Sequence, residues 1–377
     1  MHTHPHAPVT TTQRSAWHRL QAFRQRHHYA EHLIFFGGGF AFDSVMIRRI
    51  DDALVLIQQG AYLVVVGLVL AGLVIWQEKT PALPDRWKWL PNVSGPLVHF
   101  MLGTLLNAYA LFYFKSASGW SAALFVIIIA VLLIVNELPL FRRLGPVVLY
   151  ALYSFCLTSY FAYLYPVLIG RMRSWMFLLA VATSMVPLLL LSRVHLRVAG
   201  ARRALRQALV PSFGAQAALV ALFLLGLLPP VPLSLMEIGI YHDVMRDPSG
   251  FYLLTRESPP WWRPWTRDDT DFSARAGDRV YCFFRVFAPA RFEDQVRVRW
   301  SFRERGRSWL PSDAVPIVVR GGRERGYAGY TYKQNWRPGE WRVAVETGDG
   351  REIGRHTFSV RDDPNPPGDR AMTTDKR

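Results

Sequence analysis

The chain has 377 residues, of which 51% are hydrophobic, and a formal net charge of +16. Its two cysteines, Cys156 and Cys282, stand alone in the sequence, which excludes a cysteine-based zinc site and predicts no disulfide. Much of the positive charge lies in short segments between apolar runs, where basic residues orient helices in a membrane. We therefore do not expect nucleic acid as a partner.

Residues 1–30 form a polar arm rich in His and Arg, which we predict to be disordered. Its alternating His2, His4 and His6 offer imidazole ligands for copper, nickel or zinc. Disorder is the favoured interpretation, so no metal and no other cofactor is expected. The arm lacks the apolar core of a cleavable signal peptide, and the first spans are expected to act as uncleaved signal anchors.

Residues 31–228 are predicted to form a transmembrane helical domain. Six apolar runs in it have about the 20 residues that a helix needs to cross a bilayer. They are residues 53–76, 97–114, 120–135, 147–169, 175–191 and 213–228. A shorter apolar run, residues 33–46, contains three consecutive glycines, and runs of this length are often re-entrant or interfacial.

The distribution of basic residues predicts the orientation of the spans. The segments after the first, third and fifth runs carry ten Lys and Arg residues, whereas the two opposite segments carry three. Because basic loops stay in the cytoplasm, the first set should be cytoplasmic. The arginines of the arm are also cytoplasmic only if residues 33–46 cross the membrane as well. We favour seven spans over six, and both arrangements place the C-terminal domain outside the cytoplasm.

The last span ends at three prolines, and residues 229–260 are predicted to be a connector along the membrane surface. Residues 261–361 then contain short segments in which apolar and polar residues alternate, as in half-buried antiparallel strands. Trp300 and Trp341 fall on the apolar phase and are predicted to lie in a core. The tail, residues 362–377, is predicted to be disordered. The fold class is an α-helical transmembrane bundle of six or seven spans followed by a small all-β antiparallel sandwich.

Several stretches of the chain resemble known families. RVYCFFRVFAP (279–289), GGRERGYAGYTYK (321–333) and PGEWRVAVETGDGREIGRHTFSV (338–360) resemble the bacterial domain of unknown function 2914. FFGGGFAFDSVMIRRID (35–51) and LPPVPLSLMEIGIYHDV (228–244) resemble the membrane region fused to that domain, itself an uncharacterised family. The resemblance covers most of residues 30–360. It implies membrane anchoring and an extracytoplasmic β domain, and it implies no activity or catalytic residue.

Polar residues within or beside apolar runs are candidates for a transport path. His99 and Asn107 lie on one face of the second run, with Gly103 midway between them. Interhelical hydrogen bonding beside a small residue is the favoured alternative. Asp43, beside the glycine triplet, is similar to coupling-ion sites in broken helices, with a helix cap as the favoured alternative. Glu137, at the end of the third run, is expected to pair with nearby arginines at the interface.

Arginines define a second candidate surface, in the β domain. Arg297, Arg299 and Arg303 share the outer face of one predicted strand, and Arg323 and Arg325 lie in a glycine-rich loop. Guanidinium groups suit phosphate and carboxylate. Anionic lipid headgroups or an envelope polymer are therefore candidate partners, and an ordinary solvated face is the favoured alternative.

No catalytic motif with usable spacing is present in the sequence, including the phosphate loop and the zinc-protease and nucleophile-elbow patterns. We therefore expect a non-enzymatic protein of the bacterial inner membrane that displays an extracytoplasmic β-sandwich for binding or scaffolding. Its expected partners are the lipid bilayer and an unknown protein. The alternative is a transport or permeation protein that uses the polar residues within the spans, which would then converge on one cavity.

Overall fold

The computed structural model describes residues 52–79, 90–117, 123–125, 127–132, 145–259, 261–262, 265–304, 307–363 and 370–377. All of them belong to one compact unit, Arg49–Arg377. The predicted arm, the apolar run 33–46 with Asp43, and Glu137 lie outside the described residues.

Five helices in the described part of the chain are long and apolar enough to cross a membrane. They are α1 (Ala53–Lys79), α2 (Leu90–Ser116), α3 (Pro146–Ile169), α4 (Ser174–Ala199) and α5 (Ala201–Leu224). The helical bundle is therefore confirmed, whereas the number of six or seven spans is not. The third predicted run is described only at 123–125 and 127–132, where it is helical.

The last helix begins earlier than the last predicted span. Only Gly200, with a φ of +83°, separates α4 from α5, so the basic residues expected in a loop are helical. Within α5, the segment Ala204–Leu209 is π-helical and is followed at once by Val210–Leu224. Pro211, the second residue after this segment, has no backbone N–H, so the regular hydrogen-bond ladder is interrupted there.

Eleven strands form the described C-terminal region, which we call the β domain. They are β1 (Ser234–Tyr241), β2 (Asp243–Arg246), β3 (Tyr252–Glu257), β4 (Asp271–Ala274), β5 (Val280–Phe287), β6 (Glu293–Arg303), β7 (Leu310–Arg320), β8 (Tyr327–Lys333), β9 (Gly339–Thr347), β10 (Glu352–Asp362) and β11 (Met372–Lys376). Three sheets result, with the strand orders β1-β5-β8, β4-β10-β9-β6-β7 and β11-β3-β2. The β4–β10 pair is parallel, and the other described pairs are antiparallel.

The first two sheets share one apolar core. Phe284 and Val286 from β5 and Val298 from β6 belong to the same cluster of buried side chains. Trp300 and Trp341 lie in this cluster with 1% and 2% of their surface exposed, which confirms their predicted position. The all-β domain predicted from alternating sequence is thus confirmed, since Val296, like Val298, points inward between exposed or half-buried neighbours.

Two predicted segments differ from the structure. The membrane-surface connector, residues 229–260, contains β1, β2 and β3, so the β domain begins at Ser234. A bulge between Leu235 and Glu237 breaks the period of two that would have indicated a strand. The tail predicted to be disordered contains β11, a polar edge strand that pairs with β3 through the main chain and through the Arg256–Asp375 ion pair at 3.0 Å.

The connection between α3 and α4 docks into the β domain. The backbone N–H of Glu293 donates to the carbonyl of Gly170 at 2.9 Å, and the N–H of Met172 donates to Asp294 at 3.1 Å. Arg173 binds the same carboxylate through its two terminal guanidinium nitrogens, Nη1 and Nη2. Met172 itself is 4% exposed and belongs to the β-domain core. This contact area, residues 170–174 against 291–294 and 347–351, is called the junction below.

A second carboxylate secures the junction. Ser174 Oγ donates to Asp349 Oδ2 at 2.6 Å, and Thr347 and Arg351 contact the same side chain. Burial raises the pKa of Asp349, but the hydrogen bonds from Ser174, Thr347 and Arg351 outweigh it, so the pKa lies below its usual value. Arg351 also lies over the ring of Phe223 in α5, 5.7 Å from the ring centre. The β domain is therefore held to two parts of the bundle.

The other end of the bundle carries basic residues. Arg203, near the start of α5, pairs with Glu78 in the last turn of α1. This ion pair places the end of α1 and the start of α5 at the same end of the bundle, opposite the junction. The relative placement of these segments agrees with the charge pattern of the sequence.

Candidate binding cleft in the β domain

A polar cavity of about 430 Å³ opens between β1, β5, β10 and the segment before β4. Its charged and polar lining consists of Glu237, Tyr241, Arg267, Asp268, Arg285, His356 and Arg377. Three guanidinium groups therefore face two carboxylates and one imidazole. We call this cavity the cleft.

Strand pairing positions the floor of the cleft. Glu237 and Arg285 are cross-strand partners of β1 and β5, directly after the β1 bulge. The N–H of Tyr252 donates to the carbonyl of Arg377 at 3.0 Å, and the reverse bond measures 2.8 Å, so the backbone of Arg377 is fixed beside β3. A Cβ at Gly354 would overlap Leu235, so this glycine allows β1 to approach β10, the strand that carries His356.

The guanidinium of Arg285 is incompletely paired. Its side chain is 16% exposed, and its Nε lies 3.7 Å from Glu237 Oε2, beyond hydrogen-bonding reach. This buried Nε has no hydrogen-bond partner among the described residues. Arg377 Nε lies 3.5 Å from the other oxygen of the same carboxylate. The carboxylate of Glu237 thus approaches two guanidinium groups only at long distances. This arrangement leaves guanidinium N–H groups that could donate to an anion.

The opposite wall combines an imidazole with a carboxylate. His356 Nε2 and Asp268 Oδ2 are 2.7 Å apart, yet both atoms are buried and neither makes an aligned hydrogen bond. Tyr241 donates its hydroxyl to the carbonyl of Arg267 at 3.2 Å. Burial raises the pKa of Tyr241, with smaller contributions from Glu237 and Asp268, so the phenol stays neutral.

A buried histidine fixes the segment that supplies this wall. His242 stacks on Phe272, with ring centres 4.0 Å apart, and its Nδ1 lies 2.8 Å from Asp269 Oδ2. Asp269 also accepts from the backbone N–H of Glu257 at 3.0 Å. Because Asp269 follows Asp268 directly, these contacts hold one end of the β3–β4 connection against the sheet. Burial raises the pKa of Asp269, and hydrogen bonding to His242 opposes this.

Of the polar residues predicted within or beside the spans, the described part of the chain contains His99 and Asn107. His99 and Asn107 lie on α2 and are each partly buried. Another set of residues is brought together between α3, α4 and α5: Ser184 Oγ lies 3.0 Å from Thr158 Oγ1 and accepts from Gln216 Nε2 at 2.7 Å. These side chains bond to one another across helices, as expected for packing.

The predicted arginine surface is divided in the structure. Arg299 pairs with Glu346 through two bonds of 2.8 and 2.9 Å, and Arg303 pairs with Glu340. Arg297 is exposed.

Arg323 and Arg325 lie in the β7–β8 connection, where they cover the rings of Tyr327 and Phe251. This connection follows Arg320, the partner of Glu293 at the start of β6. Arg303 ends β6, about 30 Å away at 3.3 Å per residue. The five arginines therefore do not form one cluster.

Sequence reasoning did not find the cleft, because its residues come from five segments that are distant in the sequence. Arg285 is a charged residue within a strongly apolar strand. Such a position is rare for arginine, so the sequence alone could have indicated Arg285 as a candidate binding residue. Among the described residues, no three His, Cys, Asp or Glu side chains are arranged to hold a metal ion.

Residues 293–360 match a family described as Protein of unknown function (DUF2914). The match covers β6 to β9 and most of β10, which supports the sequence resemblance for this stretch. Of the polar cleft residues, His356 lies within it. No curated protein matches the chain.

Proposed function

We propose that this chain is a non-enzymatic membrane protein whose bundle holds the β domain rigidly outside the cytoplasm, and that the β domain binds an anionic ligand in the cleft. The observation that carries the proposal is the charge of the cleft, with three guanidinium groups and an imidazole against two carboxylates. The buried, unpaired Nε of Arg285 supports it further, since such a donor is costly to leave without a partner.

The orientation rests on charge and on the ion pair between Arg203 and Glu78. That pair lies at the end of the bundle where Lys79, Arg202 and Arg206 also lie. Because basic ends of spans remain in the cytoplasm, the β domain at the opposite end is extracytoplasmic. A bacterial inner membrane is the location that fits this arrangement.

Binding is favoured over transport by the arrangement of polar residues in the bundle. Thr158, Ser184 and Gln216 are hydrogen-bonded to one another between three helices. The described pocket beside them, formed by α1, α3 and α4, is lined almost entirely by apolar side chains. An apolar lining offers no path for an ion, because nothing in it replaces the hydration shell.

The test is calorimetric titration of the full chain in nanodiscs of zwitterionic lipid with inorganic phosphate and with malonate, at constant ionic strength. The wild type should bind at least one of these anions. Arg285→Gln should lower the affinity by about tenfold or more, since a charge-assisted hydrogen bond contributes about 1.5–3 kcal/mol.

Arg297→Gln is the matched control, because it removes the same charge from an exposed strand position outside the cleft. This variant should bind like the wild type. Equal losses in both variants would indicate general attraction to a basic protein, and absence of binding to either anion would contradict the proposal.

A further inference from the structure

Three tryptophans are exposed in the connection between β3 and β4. Trp261, Trp262 and Trp265 have 85%, 57% and 72% of their surface exposed, and the rings of the first two are perpendicular with centres 5.7 Å apart. A tryptophan buries more area than almost any other residue when it has a partner, so three exposed ones indicate a contact surface. We call them the tryptophan cluster.

The tryptophan cluster continues into the cleft along the chain. Trp265 precedes Arg267 and Asp268 by two and three residues, and both of these line the cleft. The connection spans residues 258–270, far longer than most loops of compact domains, and loops of this length are usually functional or disordered. The contacts of Asp269 with His242 and Glu257 fix its end. Trp265, two residues before Arg267, therefore lies beside the cleft, and Trp261 and Trp262 belong to the same connection.

The end of the cleft that meets the connection lies away from the junction. Ser234, the first residue of β1, pairs with Phe287, whose chain leads within a few residues to the junction. Tyr241, which contacts the connection through Arg267, is seven residues further along β1. At about 3.3 Å per residue this distance is roughly 20 Å.

The chemistry around the rings favours a saccharide over a protein. A protein interface has a contiguous apolar core, whereas the segment that carries these rings also contains Ser258, Thr266, Arg267 and Asp268. Sugar rings present C–H faces that pack on aromatic faces, because the aromatic face is negative and the C–H edges are positive. Their hydroxyls suit the polar surroundings.

We propose that the ligand of the cleft is an acidic glycan, whose carboxylate or phosphate binds Arg285 and Arg377 and whose neighbouring sugar rings stack on the tryptophan cluster. This inference rests on the proposed anion-binding function and adds the class of molecule that carries the anion. The cleft supplies charge complementarity, and the tryptophan cluster supplies the contact with the rest of the chain of sugars.

The experiment compares tetragalacturonate, galacturonate and inorganic phosphate as ligands of the full chain in zwitterionic nanodiscs. Tetragalacturonate should bind at least about tenfold more tightly than galacturonate, because only the longer chain reaches both surfaces. The double variant Trp261→Ala/Trp262→Ala should lose about tenfold in affinity for tetragalacturonate and keep its affinity for phosphate, since truncating a central interface tryptophan commonly costs more than 1 kcal/mol.

Tyr332→Ala is the matched control, because Tyr332 is an aromatic residue of β8 with 48% of its surface exposed and it does not line the cleft. Its affinities should equal those of the wild type. The double tryptophan variant changes no charge, so a loss in that variant cannot come from weaker polyanion attraction.

The outcomes separate the two proposals. Phosphate binding that depends on Arg285, with tetragalacturonate affinity unaffected by the tryptophan variant, would overturn the glycan inference and leave the anion site standing. Failure of the wild type to bind either inorganic phosphate or malonate would contradict the proposed function itself. Tryptophan-dependent sedimentation with anionic vesicles, without saccharide binding, would assign the cluster to a membrane surface and overturn the inference.

Discussion

The bundle and the β domain bury opposite kinds of side chains. In the bundle, Leu68 and Phe100 are each 68% exposed, while Gln59, Thr158 and Gln216 are buried. In the β domain, tryptophan, phenylalanine and valine are buried, and arginines line the outer faces. This contrast is the one expected of helices that face lipid and of a β domain that faces water. Lipid covers apolar side chains without penalty, so helices are held by close packing and hydrogen bonds, whereas water drives the β domain to form an apolar core.

The largest expected effect tests the core of the β domain. Trp341→Ala should destabilise the β domain by about 3–5 kcal/mol, because it removes a fully buried aromatic ring and leaves a cavity. Thermal unfolding of the full chain, followed by near-ultraviolet circular dichroism, measures the change. Trp261→Ala, at an exposed position, should leave the transition unchanged. Equal thermal stability of Trp341→Ala and Trp261→Ala would contradict the assignment of Trp341 to the core and of Trp261 to the surface.

The next effect tests the junction. Gly170 has a φ of +74°, and a Cβ there would overlap the backbone carbonyl of Arg291. Gly170→Ala should therefore weaken docking by about 1–3 kcal/mol or more, since the conformation alone costs that amount for other residues. Hydrogen exchange at Met172 and Glu293 should accelerate. Gly250→Ala is the control, because Gly250 has a φ of +90° with open space around it. Exchange at the junction that stays as slow in Gly170→Ala as in the wild type would show that docking does not require a glycine at this position.

A smaller effect concerns pH. Asp349 has a lowered pKa in the folded protein because hydrogen bonds favour its charged form, so its contribution is present above the pKa of the unfolded chain. That contribution is lost as the pH falls through the lower, folded pKa. The protection factors of the junction amides, which correct for the slower intrinsic exchange in acid, should therefore fall as the pH is lowered. Asp349→Asn should cost about 1 kcal/mol at neutral pH and reduce this acid sensitivity. An identical acid response in the variant would exclude Asp349 as its origin.

The smallest effect concerns the bundle. Thr158→Val keeps the shape of the side chain and removes the hydroxyl that links Ser154 and Ser184. The cost should be about 0.6 kcal/mol, the average for such bonds within membranes. Unfolding in mixed micelles gives the value. A cost of several kcal/mol would make the hydrogen-bond network, and not helix packing, the main support of the bundle.

Hydrophobic length and strand alternation predicted most of the architecture, and they failed where pairing is irregular. Trp300 was placed correctly because burial alternates in β6 from Glu293 to Trp300, before the register shift at Ser301. β1 was missed because of its bulge, and β11 because a polar edge strand is held by its main chain. The predicted site arginines were identified as exposed, but Glu346 and Glu340 neutralise Arg299 and Arg303 from another strand. Cross-strand pairing of this kind is set by register, which the sequence does not reveal.

We propose the cleft as the place where the β domain binds an anion. Hydrogen exchange of the full chain in zwitterionic nanodiscs, with and without saturating inorganic phosphate, locates the site directly. We expect slower exchange in 236–241 and 265–268, with no change in the wild-type rates along β7. Protection confined to the arginine face of β6, or none at all under conditions in which phosphate binds, would contradict the account.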